Sequence, residues 1–227
     1  MKSKVAVFFC RFTEARRNRY KRQKQKRLKN KAPSIIGNNC VCGTIYRDLD
    51  MQYLSPTANV LIQPDDFFRF VNHLEAYLSC IPEEITLNGV SYPVGVLKYA
   101  DEQVVLRFVH DDTFESAKEK WIRRCSRVDL NNLYIVFEQR FAKQRIRLKK
   151  TNKWYKAFKA IQYPNKRFLL NAWLSFDKEI IPIWQSFFIK KESLLEYPTQ
   201  YSKKRLMDHF DYVFFLNKNK NRGGISQ

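Results

Sequence analysis

Cys40, His110 and Asp112 are the residues of this chain whose types could support nucleophilic catalysis. A thiol at the N-terminus of a helix has a depressed pKa, and a histidine within hydrogen-bond reach can take its proton. Acyl transfer or hydrolysis would follow, with Asp111 or Asp112 as the acidic partner. Two other interpretations remain open, since a cysteine in such a turn is often buried packing and His110 alone could serve as a general base toward a sugar hydroxyl.

Cys40 stands in a polar turn that follows a short apolar run. Ile35 and Ile36 give way to Gly37, Asn38 and Asn39, and an aromatic helix-like segment comes after the cysteines. This pattern predicts a strand, a turn and a helix. Because ligands of open α/β sheets bind at the carboxyl ends of strands, the amide side chains of Asn38 and Asn39 are candidate substrate-binding groups. The alternative is a connection that needs these residues only for its geometry.

His110 and Asp112 follow a second apolar run, Val104–Val109. Asp112 and Glu115 have capping-box spacing for a helix of about Thr113 to Arg127. If the two strands are neighbours, His110 and the turn around Cys40 share one crevice. The helix also carries Arg123, Arg124 and Arg127, whose planar guanidinium groups suit a phosphate or pyrophosphate. A solvated helix face paired with nearby acidic residues is the alternative.

Several short motifs occur in a fixed order and together carry a resemblance to a known family. They are Ile36-Gly37-Asn38-Asn39-Cys40-x-x-Gly43, Tyr53-x-Ser55-Pro56-Thr57, Asp66-Phe67, Tyr92-Pro93-Val94-Gly95, Phe108-x-His110 and Trp121-x-Arg123-Arg124-x-x-Arg127. The chain thereby resembles the DUF1919 family, bacterial proteins often labelled as exopolysaccharide biosynthesis proteins. Val41, Cys42 and Asp111 depart from the family pattern, which has a Trp-Gly pair and an aromatic residue at those places.

The resemblance implies the pathway, which is exopolysaccharide or capsule biosynthesis. The polar crevice at the strand ends and the arginine cluster suggest a transferase with a phosphate-bearing donor, either a nucleotide sugar or acyl-CoA. We expect Ser55 and Thr57 of the second motif to join Asn38 and Asn39 in binding substrate. No bound cofactor and no metal site are expected, because the nucleotide-binding glycine motifs are absent and Cys40-Val41-Cys42 lacks a second ligand pair. Asp48-Leu49-Asp50 has the spacing of a metal-binding carboxylate pair, but chance explains it better.

The pattern of strands alternating with helices predicts an α/β fold. We expect a three-layer sandwich with a mostly parallel or mixed sheet, Rossmann-like but without the dinucleotide fingerprint. Three parts are predicted: a basic helical arm over residues 1–32, a single α/β domain over 33–216 and a polar tail over 217–227.

Individual elements are also predicted. Helices are expected at Thr44–Leu54, Arg140–Lys159 and Thr199–Phe210, and a last strand at Tyr212–Leu216. Helix caps are expected at Asp65 or Asp66 and at Asp112, and a hairpin turn at Asn88-Gly89.

The formal charge of +20 is concentrated in the arm, where residues 1–32 hold thirteen Lys or Arg and one acid, Glu14. Residues 11–31 could be a solvated helix, could contact an anionic membrane, or could bind nucleic acid. Nucleic acid is the least favoured, because no recognition motif is present. A non-catalytic protein acting through this arm is the alternative to a transferase. No run is long enough to cross a bilayer, so we expect a cytoplasmic protein with peripheral contact to the inner face of the membrane.

Overall fold

The fold is known from a computed structural model, which describes residues 4–139, 148–170, 180–182, 195, 197 and 202–218. It is a mixed α/β structure, as the alternation of apolar patterns predicts. The helices are α1 (Lys4–Arg27), α2 (Val41–Asp48), α3 (Pro64–Asn72), α4 (Leu74–Leu78), α5 (Phe114–Cys125), α6 (Leu148–Ala160) and α7 (Tyr212–Asn217). Short 3-10 turns lie at Leu130–Asn132 and Leu206–His209.

A parallel sheet forms the centre of the protein. Its strands are β1 (Ser34–Gly37), β6 (Leu133–Gln139), β7 (Lys166–Leu170) and β8 (Ile180–Pro182), in the order β1-β6-β7-β8. Every residue of β1 and β6 is buried, as expected for parallel strands covered on both faces. Consecutive residues of β1 therefore lie on opposite faces of the sheet: Ile35 packs into one apolar cluster and Ile36 into the other.

The two apolar clusters make this a three-layer arrangement. On one face of the parallel sheet, residues of α2 and α7 pack around Tyr134 and Val136. On the other face, residues of α3, α5 and α6 pack around Ile135 and Phe137. The predicted α/β sandwich is thus confirmed.

A second, antiparallel sheet belongs to the latter face. It contains β2 (Leu61–Ile62), β3 (Glu83–Glu84), β4 (Val94–Tyr99) and β5 (Glu102–Arg107), in the order β2-β5-β4-β3. The backbone N–H of Ile62 donates to the Asn38 carbonyl over 2.9 Å. This bond joins β2 to the end of β1, and β2 pairs with β5. The ends of β1 and β5 are therefore held near each other although the strands belong to different sheets.

Several predicted elements are corrected by the structure. Tyr212–Leu216 lies in a helix, not a strand, because Asp211 caps α7 by accepting from the N–H of Phe214. The buried residues of α7 are Tyr212, Val213, Phe215 and Leu216, a helical spacing. The predicted helix at Thr199–Phe210 is reduced to the 3-10 turn Leu206–His209, with residues 198–201 outside the described part.

Helix boundaries also differ from the predictions. α2 ends at Asp48, not at Leu54. α3 begins after Gln63, where Pro64 takes the first helical position, so neither Asp65 nor Asp66 is the cap. The cap of α5 is Thr113, whose hydroxyl accepts from the N–H of Ser116; Asp112 lies one residue too early. The predicted basic helix from Arg140 is described from Leu148 onward.

The hairpin predicted at Asn88-Gly89 is wider than a two-residue turn. Gly89 has a φ of 78°, as such a turn requires, but the paired strands begin only at Glu84 and Val94. Residues 85–93 therefore form a long loop. Together with Asp112, Thr113 and Phe114, this loop lines an open groove.

The second half of α1 is docked on the body of the protein. Lys24 donates to Asp208 over 2.6 Å, and Arg27 pairs with Asp211. Asn217 closes the end of the helix: its side chain accepts from the N–H of Lys29 and donates to the carbonyl of Arg27. Over the described residues, no helix combines the length and the apolar character that crossing a membrane requires.

Candidate functional site

Cys40 lies at the junction between β1 and α2, where it is the N-cap residue of the helix. The turn before it is set by two bonds: the N–H of Gly37 donates to the Thr57 hydroxyl, and the N–H of Val41 donates to the Asn39 side-chain oxygen. The Cys40 side chain is half-buried, so its sulfur is accessible at the end of the helix. Backbone N–H groups of a first helical turn favour negative charge at this end.

The two asparagines before Cys40 tie the turn to β6. Asn38 exchanges two hydrogen bonds with the Glu138 backbone: its amide donates to the carbonyl over 2.9 Å and its oxygen accepts from the N–H over 2.8 Å. Asn39 donates to the Glu138 carboxylate over 2.6 Å. All three residues are buried. These contacts hold the turn in place, and a role of Asn38 and Asn39 in binding substrate stays a prediction.

His110 reaches the same turn from the end of β5. The chain reverses there through a bond from the N–H of Asp111 to the carbonyl of Phe108, and this turn leaves His110 exposed. The His110 Nε2 atom lies 3.1 Å from the Cys40 sulfur, within hydrogen-bond distance. The structure thus brings together Cys40 and His110, the residues that the sequence analysis predicts as nucleophile and base.

The acidic partner is not in contact with this pair. Asp111 forms an ion pair with Lys120 over 2.6 Å, and Asp112 is exposed. Among residues that the structure describes, no hydrogen bond or ion pair joins a carboxylate to the His110 ring. Asp112 instead lines an open groove of about 390 Å³ between the 85–93 loop and the start of α5. A catalytic role for Asp112 stays a prediction.

Ser55 and Thr57 lie beneath the turn. Both are completely buried, and their hydroxyls are 3.0 Å apart. The Thr57 hydroxyl accepts from Gly37, and its carbonyl accepts from the Cys42 thiol over 3.4 Å. The motif therefore supports the backbone at the end of β1. Binding of substrate by Ser55 and Thr57 stays a prediction.

The arginines of α5 divide into two groups. Arg124 donates to the carbonyl of Ala58 over 2.9 Å and lies over the Tyr53 ring, and Arg127 donates to the carbonyl of Tyr53. Burial lowers the pKa of Arg124. These two side chains hold the segment between α2 and β2, whereas Arg123 is exposed. Arg123 is the member of the cluster that is free to meet a phosphate; substrate binding by Arg124 and Arg127 stays a prediction.

The carboxylates of the Asp48-Leu49-Asp50 motif do not converge. Asp48 is completely buried and pairs with Arg205, while Asp50 is exposed in the left-handed region, with a φ of 54°. Within the described segments, no group of three His, Cys, Asp or Glu side chains is arranged to hold a metal ion. Asp48 is better understood as part of a buried ion network that joins α2 to Lys24, Arg205 and Asp208.

Glu138 is a residue of this site that the sequence analysis did not single out. It is 1% exposed and lies at the carboxyl end of β6, directly behind the Cys40 turn. The available signal was an acidic residue immediately after the continuous apolar strand Leu133–Phe137. A buried acid in that position requires polar partners, and the asparagines supply them.

Cys42 and Cys125 are expected to be far less reactive than Cys40. Burial raises the pKa of the Cys42 thiol to about 11 and that of Cys125 to about 12, and it also raises the pKa of Cys80. At pH 7 the thiolate fractions of Cys42 and Cys125 are about 100-fold or more below that of a thiol with the ordinary pKa. We therefore expect iodoacetamide to alkylate the half-buried Cys40 much faster than Cys42 or Cys125, since the thiolate is the reacting form. Peptide mapping by mass spectrometry measures each rate. Equal rates for Cys40 and Cys42 would contradict this assignment.

Comparison with known proteins places the chain in a family. The family model described as "Domain of unknown function (DUF1919)" matches residues 12–217. A relative from Haemophilus influenzae, described as "Uncharacterized protein", is 30% identical over 201 residues, which cover 85% of this chain and 88% of the relative. The matched residues include the strand-end turn, the His110 loop and the arginines of α5, so this chain belongs to the DUF1919 family.

Proposed function

We propose that this protein is an acyltransferase of bacterial surface-polysaccharide biosynthesis, with Cys40 as nucleophile and His110 as general base. The 3.1 Å contact between the Cys40 sulfur and His110 Nε2 carries the proposal. A thiol paired with an imidazole at a helix N-terminus is suited to attack on a thioester carbonyl. The polysaccharide pathway rests on the family resemblance alone.

The reaction has two half-reactions. In the first, His110 takes the thiol proton and the Cys40 sulfur forms a bond to the carbonyl carbon of acyl-CoA. The carbon–sulfur bond to CoA then breaks, and the departing thiolate takes the proton from His110. In the second, an acceptor hydroxyl gives its proton to His110 and attacks the acyl-Cys40 carbonyl; the Cys40 sulfur leaves and recovers the proton.

The surroundings of the pair support this division of roles. The first turn of α2 offers N–H dipoles where negative charge develops on the carbonyl oxygen. The groove lined by Asp112 and the 85–93 loop begins two residues along the chain from His110, and we assign it to the acceptor. Arg123 is exposed in the last turn of α5, and we assign it to the phosphates of the donor. Nucleotide sugars also carry phosphate groups, but they have no thioester carbonyl for the Cys40 thiol to attack.

The proposal is tested by capturing the acyl-enzyme. The protein is incubated with acetyl-CoA without an acceptor, and intact-mass spectrometry followed by peptide mapping is expected to find one acetyl group on Cys40. Cys40→Ala should carry none, whereas Cys80→Ser should be acetylated like the unchanged protein. A thermal-shift screen with nucleotide sugars runs in parallel. Stabilisation by a nucleotide sugar, with no acetyl group on Cys40, would replace acyl transfer by glycosyl transfer.

The competing hypothesis is a non-catalytic protein that acts through its basic arm. One observation favours it: part of the arm is exposed and rich in cations. It predicts no acetylation of Cys40 and no stabilisation by any donor. The same experiment therefore separates the two hypotheses.

A further inference from the structure

Docking divides helix α1 into two faces of different character. The inner face carries Thr13, Lys24 and Leu28, each less than 10% exposed, and its cations are used within the protein. Arg17 donates to the carbonyl of Ser202, Lys21 lies 3.4 Å from Asp48, and Lys24 pairs with Asp208. Arg17, Lys21 and Lys24 therefore hold the helix on the body of the protein.

The outer face carries a stripe of exposed cations: Arg16, Arg19, Arg22 and Lys26. The four residues recur every three or four positions, so they share one side of the helix, and they extend over roughly 15 Å. None of them pairs with a carboxylate of the described residues. Glu14, an acid of the same helix, lies off this line. The stripe is therefore an uncompensated positive surface.

Apolar residues precede the stripe on the same helix. Phe12 is 55% exposed, and the Arg16 guanidinium lies 5.8 Å from the centre of its ring. The sequence of the helix before it, Val5-Ala6-Val7-Phe8-Phe9, is apolar throughout. An apolar segment continued by a cationic stripe matches the boundary between the acyl chains and the anionic headgroups of a membrane. The cations could also bind the phosphates of a nucleic acid, but a nucleic acid would offer no apolar partner to the segment before the stripe.

We propose that the outer face of α1 is a docking surface for a membrane leaflet rich in anionic lipid. The stripe contacts the headgroups, and the segment from Val5 to Phe12 enters the interface. Because Lys21 and Gln25 of α1 both contact Asp48, at the opposite end of α2 from Cys40, the docked helix would also orient the Cys40 turn relative to the membrane. This inference is independent of the proposed chemistry.

Vesicle sedimentation tests the surface. The full chain is expected to sediment with vesicles of 70% phosphatidylcholine and 30% phosphatidylglycerol and not with phosphatidylcholine alone, and the binding should weaken as salt is raised. Each cation near such a surface contributes roughly fivefold in affinity. Arg19→Glu/Arg22→Glu is therefore expected to lower the affinity about 30-fold or more. Both residues are exposed, so thermal unfolding should be unchanged.

A matched control reverses the same number of charges elsewhere. Lys118→Glu/Lys156→Glu should keep the affinity within about twofold, since both lysines lie outside α1. Phe12→Ser tests the apolar contact and is expected to weaken binding several-fold at constant charge. Cys40→Ala should bind vesicles like the unchanged protein, which separates this inference from the proposed function.

Three outcomes would overturn the proposal. The first is equal binding to neutral and anionic vesicles, and the second is an equal loss of affinity in the Arg19/Arg22 and Lys118/Lys156 variants. The third is binding of a single-stranded oligonucleotide at physiological salt without any binding to anionic vesicles, which would assign the stripe to nucleic acid instead. An unchanged Phe12→Ser variant would remove the apolar part of the proposal.

Discussion

His110→Ala is expected to slow the acylation of Cys40 by acetyl-CoA by a factor of about 100 to 10,000. The reason is that Nε2 of His110 lies 3.1 Å from the Cys40 sulfur, within reach of the thiol proton. General base catalysis by a positioned imidazole typically contributes an acceleration of this size. The measurement is the rate at which the acetylated mass appears after rapid mixing.

The chain supplies a matched control for this variant. His73 is another exposed imidazole, with 49% of its side chain accessible, and it lies between α3 and α4, near Glu102. His73→Ala should acylate at the rate of the unchanged protein. Since His110 is also exposed, neither change is expected to alter thermal unfolding. Equal acylation rates in His110→Ala and the unchanged protein would remove His110 from the mechanism and leave Cys40 as an ordinary thiol.

Asp48→Asn is expected to destabilise the fold by about 3–5 kcal/mol, the usual cost of breaking a buried ion pair. Asp48 is completely buried and accepts hydrogen bonds from Arg205 and the Tyr212 hydroxyl. Arg205 and Lys24 are buried cations that also pair with Asp208. Without the charge of Asp48, Asp208 is the one buried carboxylate that still pairs with both of them among the described residues. At roughly 2–4 °C per kcal/mol for a chain of this size, the midpoint of thermal unfolding should fall by about 10 °C.

Asp50→Asn is the control, because it makes the same chemical change two residues away. Asp50 is exposed, and asparagine tolerates its left-handed backbone as well as aspartate does. We expect its unfolding midpoint to stay within about 2 °C of the unchanged protein. Equal destabilisation by the two substitutions would contradict the buried network.

The site could be predicted in part from the sequence, because some of its geometry is local. The residues Gly37, Asn38, Asn39 and Cys40 follow a buried strand and precede a helix, so the presence of a turn between them can be predicted from neighbouring residues. His110 could be recognised in the same way at the end of Val104–Val109. Glu138 was missed because an acidic residue after a strand has no local feature that shows whether it is buried.

Other assignments required the packing of the whole chain. Arg124 and Arg127 have the residue type and spacing of a phosphate site, yet they donate to backbone carbonyls of the segment that contains Tyr53 and Ala58. Asp48 has the spacing of a metal ligand, yet it meets Arg205 from far along the chain. In both cases the deciding partner is distant in sequence. Local spacing therefore cannot distinguish a structural role from a functional one.

By itself, the sequence determined the α/β class and the strand-end position of Cys40, because apolar periodicity and turn residues are properties of short segments. Only the tertiary structure decided that Cys40 and His110 meet. They are 70 residues apart and follow strands of two different sheets, which are joined through the bond between Ile62 and Asn38. Such a contact depends on the order of the strands and on the packing of two apolar clusters. Neither can be predicted from a single segment of the sequence, because each involves residues that are distant along the chain.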